Sequence, residues 1–232
     1  MKLLYNKNYC NDIWMVSFVN DGVLINDGYD GLCVISEDLQ EIRKKIKFKE
    51  CILLREKYMK DNGKEILLYL DDDAGFIYVN LENSKIIYIN MPEEIKDIAL
   101  SDIFNWVDDK IYIKDYRCGC CTVDVNSKNI TYNIIDNLLE KKLCNTPKLP
   151  SDILSNDMKR EYHNDYFFNG VWVMMSEKIM DIVADNTKYR LTSMGEFIGV
   201  DVKKMNDNYY VAILDDIYGN KSYYRTISIY RM

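Results

Sequence analysis

Carboxylates are the most conspicuous chemistry-bearing groups in this sequence, and they come in tight clusters. The stretch LLYLDDDAGFIYV, residues 67–79, sets Asp71, Asp72 and Asp73 between two apolar runs. Paired carboxylates can act as general acid and base, ligate a hard cation, or receive a basic partner. Neither DDDAG (71–75) nor DGYDG (27–31) has the calcium-loop spacing with its distal Glu. The chain has one histidine, His163, which argues against a Ser-His or Cys-His catalytic pair. Arg117 to Cys121 reads RCGCC, yet a zinc site needs about four ligands, usually as two Cys/His pairs, and the sequence offers no second pair. No phosphate-cradling glycine loop is present, and no basic patch is read from the sequence. These residues imply no cofactor and no metal.

The elements that must carry these acids follow from a recurrence. The pattern apolar-x-apolar-x-Asp-x-x-x-Gly places Asp27 before Gly31, Asp71 before Gly75 and Asp115 before Gly119, at a constant offset of 44 residues. A later copy has Asp215 and Gly219, and a degraded one from Val171 has Met175 and Ile179 at those positions. A turn signal precedes each copy: NDG at Asn20, DNG at Asp61, DDK at Asp108, FNG at Phe168 and NDN at Asn206. Asn-Gly and Asp-Gly between alternating apolar runs mark hairpins. Each unit therefore reads as four short antiparallel strands, and five such units fit the chain.

Four antiparallel strands at that period resemble the blades of quinoprotein-type and kelch-type β-propellers. The resemblance is to an architecture and implies an all-β fold: a five-bladed propeller of four-stranded blades in a single domain, 1–232. Residues 136–165 break the pattern: IIDNLLEKKL, which begins at Ile134 and runs into them, has helical apolar spacing, and two prolines follow. They are expected to form a short helical insertion between the third and fourth blades. The fifth unit ends before its fourth strand, and MKLLYNK at the other end of the chain is expected to supply it, removing an exposed sheet edge.

In a blade of this kind the turns between second and third strands share one face. Those five turns hold nine acids (Asp27, Asp30, Asp71, Asp72, Asp73, Asp115, Glu177, Asp215 and Asp216) against Arg117 and Lys178. The leading Asp of each turn is expected to cap its own turn. Asp30, Asp72, Asp73 and Asp216 are not required by the turn and become the candidate contact acids. Tyr29, Tyr116 and Tyr218 lie in the same turns, and Tyr is enriched at binding hot spots. Cys121 aligns with Cys33 and Ile77 and reads as core, whereas Cys118 falls in a turn. Trp14, Trp106 and Trp172 read as strand residues rather than sugar platforms.

The chain has 232 residues, 48% hydrophobic, with a net charge of −7. That is ample for a sizeable core, and the acidity argues against nucleic acid as the ligand. No run approaches the ~18 apolar residues of a membrane span. Seven cysteines without framework spacing, and no export signal, imply a reducing cytoplasm. The Asn, Lys, Ile and Tyr content fits an AT-rich bacterial genome. The reading is a non-enzymatic protein-binding module with an acidic loop face and a basic protein partner. By type alone it resembles bacterial immunity proteins that neutralise a basic toxin such as a nuclease. The alternative is a carbohydrate-active enzyme or lectin of propeller fold.

Overall fold

A computed structural model describes residues 1–9, 12–49, 59–70, 75–95, 100–115, 119–134, 164–168, 170–218 and 223–232. Among these residues the architecture is five four-stranded antiparallel sheets. The first contains β2 (Val16–Val19), β3 (Gly22–Asn26), β4 (Gly31–Ile35) and β5 (Ile42–Lys47) in sequence order. The second contains β6 (Met59–Asp61), β7 (Glu65–Leu70), β8 (Gly75–Asn80) and β9 (Lys85–Asn90). The third contains β10 (Leu100–Val107), β11 (Lys110–Asp115), β12 (Gly119–Asp124) and β13 (Asn129–Ile134). The fourth contains β14 (Asn164–Phe168), β15 (Val171–Met175), β16 (Ile179–Ala184) and β17 (Thr187–Thr192). The fifth joins β18 (Glu196–Met205), β19 (Asn208–Tyr218) and β20 (Tyr223–Arg231) to β1 (Lys2–Tyr9).

The expected terminal strand is present. β1 pairs antiparallel with β20, from Lys2 opposite Arg231 to Tyr9 opposite Arg225, as the fourth strand of the last sheet. The helical insertion expected over 136–165 lies outside the described residues except at its last two positions, which begin β14. The helical geometry that is seen among the described residues is a short 3-10 turn at Glu93–Ile95. No described helix is long and apolar enough to cross a membrane.

The chain divides into two compact units, Met1–Cys51 with Thr146–Met232 and Ile52–Asn145. In the first unit the β18–β20 sheet is buried on both faces. Ala212, Leu214, Ile227 and Ile229 join Val23, Ile25, Cys33 and Ile35 of the first sheet in one cluster. Val211, Ile213, Val200 and Val202 join Val173, Met175, Met180 and Ile182 of the fourth sheet in another. Alternate residues of β19 thus serve opposite cores, which is why Val211 to Leu214 is apolar without a break. Asp201 ties two of these sheets together: its Oδ2 accepts from the Phe18 amide at 2.6 Å and the Ser17 hydroxyl at 3.0 Å. In the second unit Leu67, Phe76 and Ile89 pack with Ile111, Ile113, Cys121 and Val123.

The turns follow their residue types. Asp185 with Asn186, and Asn206 with Asp207, occupy paired positive-φ positions between successive strands, as tight hairpins require. In the first three sheets the turn leading into the fourth strand has a repeating cap. The Ser36 Oγ accepts from the amides of Gln40 and Glu41, the Asn80 Oδ1 from Glu82 and Asn83, and the Asp124 Oδ1 from Asn126 and Ser127. Positions 36, 80 and 124 share the 44-residue offset of the motif aspartates.

Candidate functional site

The loops at one end of the first unit converge around Trp14. The sequence reading placed Trp14 in a strand, but it lies in the link before β2, half-buried. Its ring meets Tyr29 of the β3–β4 turn, with centroids 4.7 Å apart and planes inclined by 54°. The Arg225 guanidinium of β20 stands 5.6 Å from the Trp14 ring centre. Arg225 Nε donates to Asp216 Oδ1 at 2.6 Å, and its Nη1 donates to the Ile13 carbonyl.

Asn26 organises the same loops. Its Oδ1 accepts from the Trp14 amide at 2.7 Å and the Met15 amide at 3.3 Å. Its Nδ2 donates to the carbonyls of Asp12 at 2.8 Å and Gly28 at 2.9 Å. A buried amide side chain that bonds four backbone groups locks two loops to each other. The expectation that Asp27 caps this turn by its side chain is therefore corrected. Asn26 does that, while the Asp27 carboxylate is bound 2.8 Å from Lys45 Nζ. Gly28, with φ +59, supplies the left-handed residue of the turn and has open space around it.

The candidate contact residues divide into three groups. Tyr29 is 41% exposed, and Asp30 is exposed beside it. The backbone of Asp30 is held on both sides: its amide donates to the Asp27 carbonyl and its carbonyl accepts from the Phe48 amide. Asp72, Asp73 and Tyr116 lie outside the described residues, as does Cys118. Tyr218 ends β19, and its side chain is outside the described set.

Asp216 departs from the expectation of an exposed contact acid. The hairpin it was assigned to lies further along, because β19 continues to Tyr218. Asp216 sits inside the sheet opposite Arg225, and both side chains are over nine-tenths buried. Its charge is met inside the protein and is not displayed. Asp215 is likewise in the strand, not capping a turn. It accepts from the Ser193 hydroxyl at 3.0 Å. Burial pushes its carboxyl above the usual range, the Ser193 hydrogen bond pulls it down, and the nearby Asp216 charge adds to the rise.

The described turns of the first unit are also less uniformly acidic than their composition implies. Lys45 and Arg225, which answer Asp27 and Asp216, come from neighbouring strands and were invisible to a count of turn residues. A basic patch overlooked in the sequence accompanies them. β5 and the residue pair after it present Arg43, Lys44, Lys45, Lys47 and Lys49 at the open edge of the first sheet. Charged side chains, Lys above all, guard such an edge against pairing with another strand.

Among the described residues no three His, Cys, Asp or Glu side chains gather as a metal site would require. Cys33, Cys120 and Cys121 are buried thiols. Burial pushes the Cys121 thiol up to about 12, with Cys120 adding to the rise, so it packs as a small apolar group. Trp106 packs partly against the core of the second unit, and Trp172 is buried in β15, as their strand positions imply.

No protein family and no curated protein matches this chain. Several solved structures are similar to it at low identity and low TM-score. A chain of the S. cerevisiae complex of Dbp5 with Nup159, Gle1, IP6 and ADP is 12% identical, with a TM-score of 0.44 over 94% of this chain and 76% of that one. BamB from Moraxella catarrhalis is 9% identical, with a TM-score of 0.38 over 94% of this chain and 83% of BamB. Hsv2 from Kluyveromyces lactis is 8% identical, with a TM-score of 0.38 over 90% of this chain and 61% of Hsv2.

Proposed function

We propose that this protein is a non-enzymatic protein-binding module, a single five-bladed propeller over 1–232, and that Tyr29 and Asp30 form the centre of its contact surface. One observation carries the reading. The Tyr29 ring is exposed, yet it is seated on Trp14, which is itself fixed by Asn26 and lies beside the buried Asp216–Arg225 pair. An exposed aromatic side chain whose position is set by a rigid polar network loses little freedom on binding. Such preorganised Tyr residues make effective anchors.

The partner is a basic protein. The net charge of −7 and the exposed Asp12 and Asp30 beside the ring pair favour a cationic surface and hasten its encounter. A cytoplasmic immunity protein that covers the basic cleft of a toxin such as a nuclease is the specific form of this reading. Asp72, Asp73, Tyr116 and Tyr218 are further candidate contact residues in this reading. Nucleic acid and membrane are not partners in this reading.

The test is a photo-crosslinking amino acid at position 29, compared with one at Asp207 in the β18–β19 turn. Capture of a basic protein at position 29, lost in the Asp30→Asn variant at low salt and absent at position 207, supports the reading. Equal capture at both positions overturns it. The ring pair Trp14–Tyr29 favours one second reading, a glycan-binding surface, because aromatic faces also stack on sugars. Glycan-array binding lost in Tyr29→Ala, with no protein captured, would establish that reading instead.

A further inference from the structure

We propose that β1 is an exchangeable strand, and that the edge of β20 accepts the β1 of a second copy of this chain to give a strand-exchanged dimer. The observations concern how β1 is held. None of its eight residues is buried, and Leu3 and Tyr5 are among the most exposed large apolar side chains described. The strand it lies against is unlike it: Arg225 to Ile229 of β20 are all buried.

β1 is retained by its backbone ladder, a few polar contacts and the partly buried Tyr9, which packs against the core. Asn6 Nδ2 donates to Ser228 Oγ at 2.8 Å, Thr226 Oγ1 donates to Asn8 Oδ1 at 3.0 Å, and Lys7 Nζ donates to the Leu39 carbonyl at 2.8 Å. The register slips between Leu3 and Tyr5, so the ladder is interrupted. The Tyr9 hydroxyl is buried with no hydrogen-bond partner among the described residues, which is a cost of seating the strand. A strand with little buried apolar area belongs to the low-stability end of a fold and opens before the core.

The occupant follows from complementarity. Opening β1 bares the donors and acceptors of β20, and an extended segment that completes them must match its register and its polar partners. The β1 of a second copy does so by identity. It offers the same Asn6, Lys7, Asn8 and Tyr9 to the same Ser228, Leu39, Thr226 and core. Exchange therefore conserves every contact of β1, and reciprocal exchange closes a two-fold dimer. The basic edge at β5 is guarded by Arg43 and the lysines around it, whereas β1 has only Lys2 and Lys7.

The experiment places a covalent reporter across the pair, with Asn6→Cys and Ser228→Cys in one chain. These positions face each other in register. Light and heavy-isotope chains are mixed in equal amounts at high concentration, unfolded, refolded together and oxidised. The peptide linking positions 6 and 228 is then weighed. Exchange predicts that about half of the linked peptides in the dimer fraction combine one light and one heavy chain. Linked peptides that are only all-light or all-heavy overturn the proposal, including in any dimer formed by edge-to-edge contact. Hydrogen exchange on the unmodified chain covers the case in which the cysteine variant fails to fold. Amides of β1 are expected to exchange at least about tenfold faster than those of β19. Equal protection of the two strands would also overturn the proposal.

Discussion

Asp216 and Arg225 face each other across β19 and β20, with Oδ1 and Nε 2.6 Å apart and both side chains buried. Arg225 also reaches the Ile13 carbonyl and stands over Trp14, so one guanidinium joins the last sheet to the loop that seats Tyr29. Removing Arg225 takes the buried cation of this pair away from the Asp216 carboxylate. Arg225→Leu is expected to destabilise the fold by about 3–5 kcal/mol, read from urea unfolding. The double variant Asp216→Leu with Arg225→Met should recover most of that loss, because a well-packed apolar pair avoids the desolvation of both charges. Equal losses in the single and double variants would contradict this account.

Gly195 approaches the same site by its backbone. A Cβ built there would lie 1.5 Å from the Asp216 carbonyl oxygen, which cannot give way as a flexible side chain can. Gly195→Ala is expected to destabilise the protein and weaken Trp14–Tyr29 contact. The check is a parallel loss of unfolding free energy and change in tryptophan fluorescence. Wild-type values for both would show that the link before β18 shifts freely.

Asp215 sets a pH dependence of definite sign. Its folded-state carboxyl lies above its unfolded value, so between the two values the folded chain holds the extra proton. Its contribution to stability therefore falls as pH rises from the ordinary carboxylate value through the raised one. Asp215→Asn keeps an oxygen for the Ser193 hydroxyl and removes the charge. It should be more stable than wild type at neutral pH, with the advantage vanishing in acid. A variant less stable at neutral pH would sink the prediction.

The repeated caps should act alike. Asn80→Ala and Ser36→Ala are each expected to cost about 1 kcal/mol, because backbone amides of the turn lose their acceptor. Asp124→Ala should destabilise in the same direction. The amides and hydroxyl of the turn, Ser127 first, hold the Asp124 carboxyl below its usual range. Its contribution is therefore present above the ordinary carboxylate value and lost as pH falls through the lowered one. Urea unfolding at neutral and acidic pH measures all three.

The buried thiols give a chemical test of the core. Cys33, Cys120 and Cys121 are expected to resist iodoacetamide in the native protein at mildly alkaline pH and to react after unfolding. Peptide mass mapping distinguishes the positions. Native labelling of Cys121 would mean that the β12 core opens readily.

Much of the fold was legible in the chain because its determinants are local and repeat. The 44-residue offset, the Asn and Asp turn signals and the period-2 apolar runs specify short antiparallel strands wherever they occur. They led to four strands per unit and to β1 as the strand completing the last sheet. The site was legible only in part. Tyr29 and Asp30 stand exposed in their turn. Asp216 misled, because a motif aligned on Gly219 puts it in a turn while β19 runs past it.

By itself the sequence determined the strand units and the order in which successive strands pair, since these depend on residues a few positions apart. The tertiary structure alone decided which charges remain outside. Asp27 and Asp216 are answered by Lys45 and Arg225 from adjacent strands, and Trp14 finds Tyr29 from a separate loop. Coulomb attraction and ring packing act over a few ångströms of space whatever the separation along the chain. Whether an acid is a contact residue or half of a buried pair therefore depends on neighbours that local spacing does not reveal.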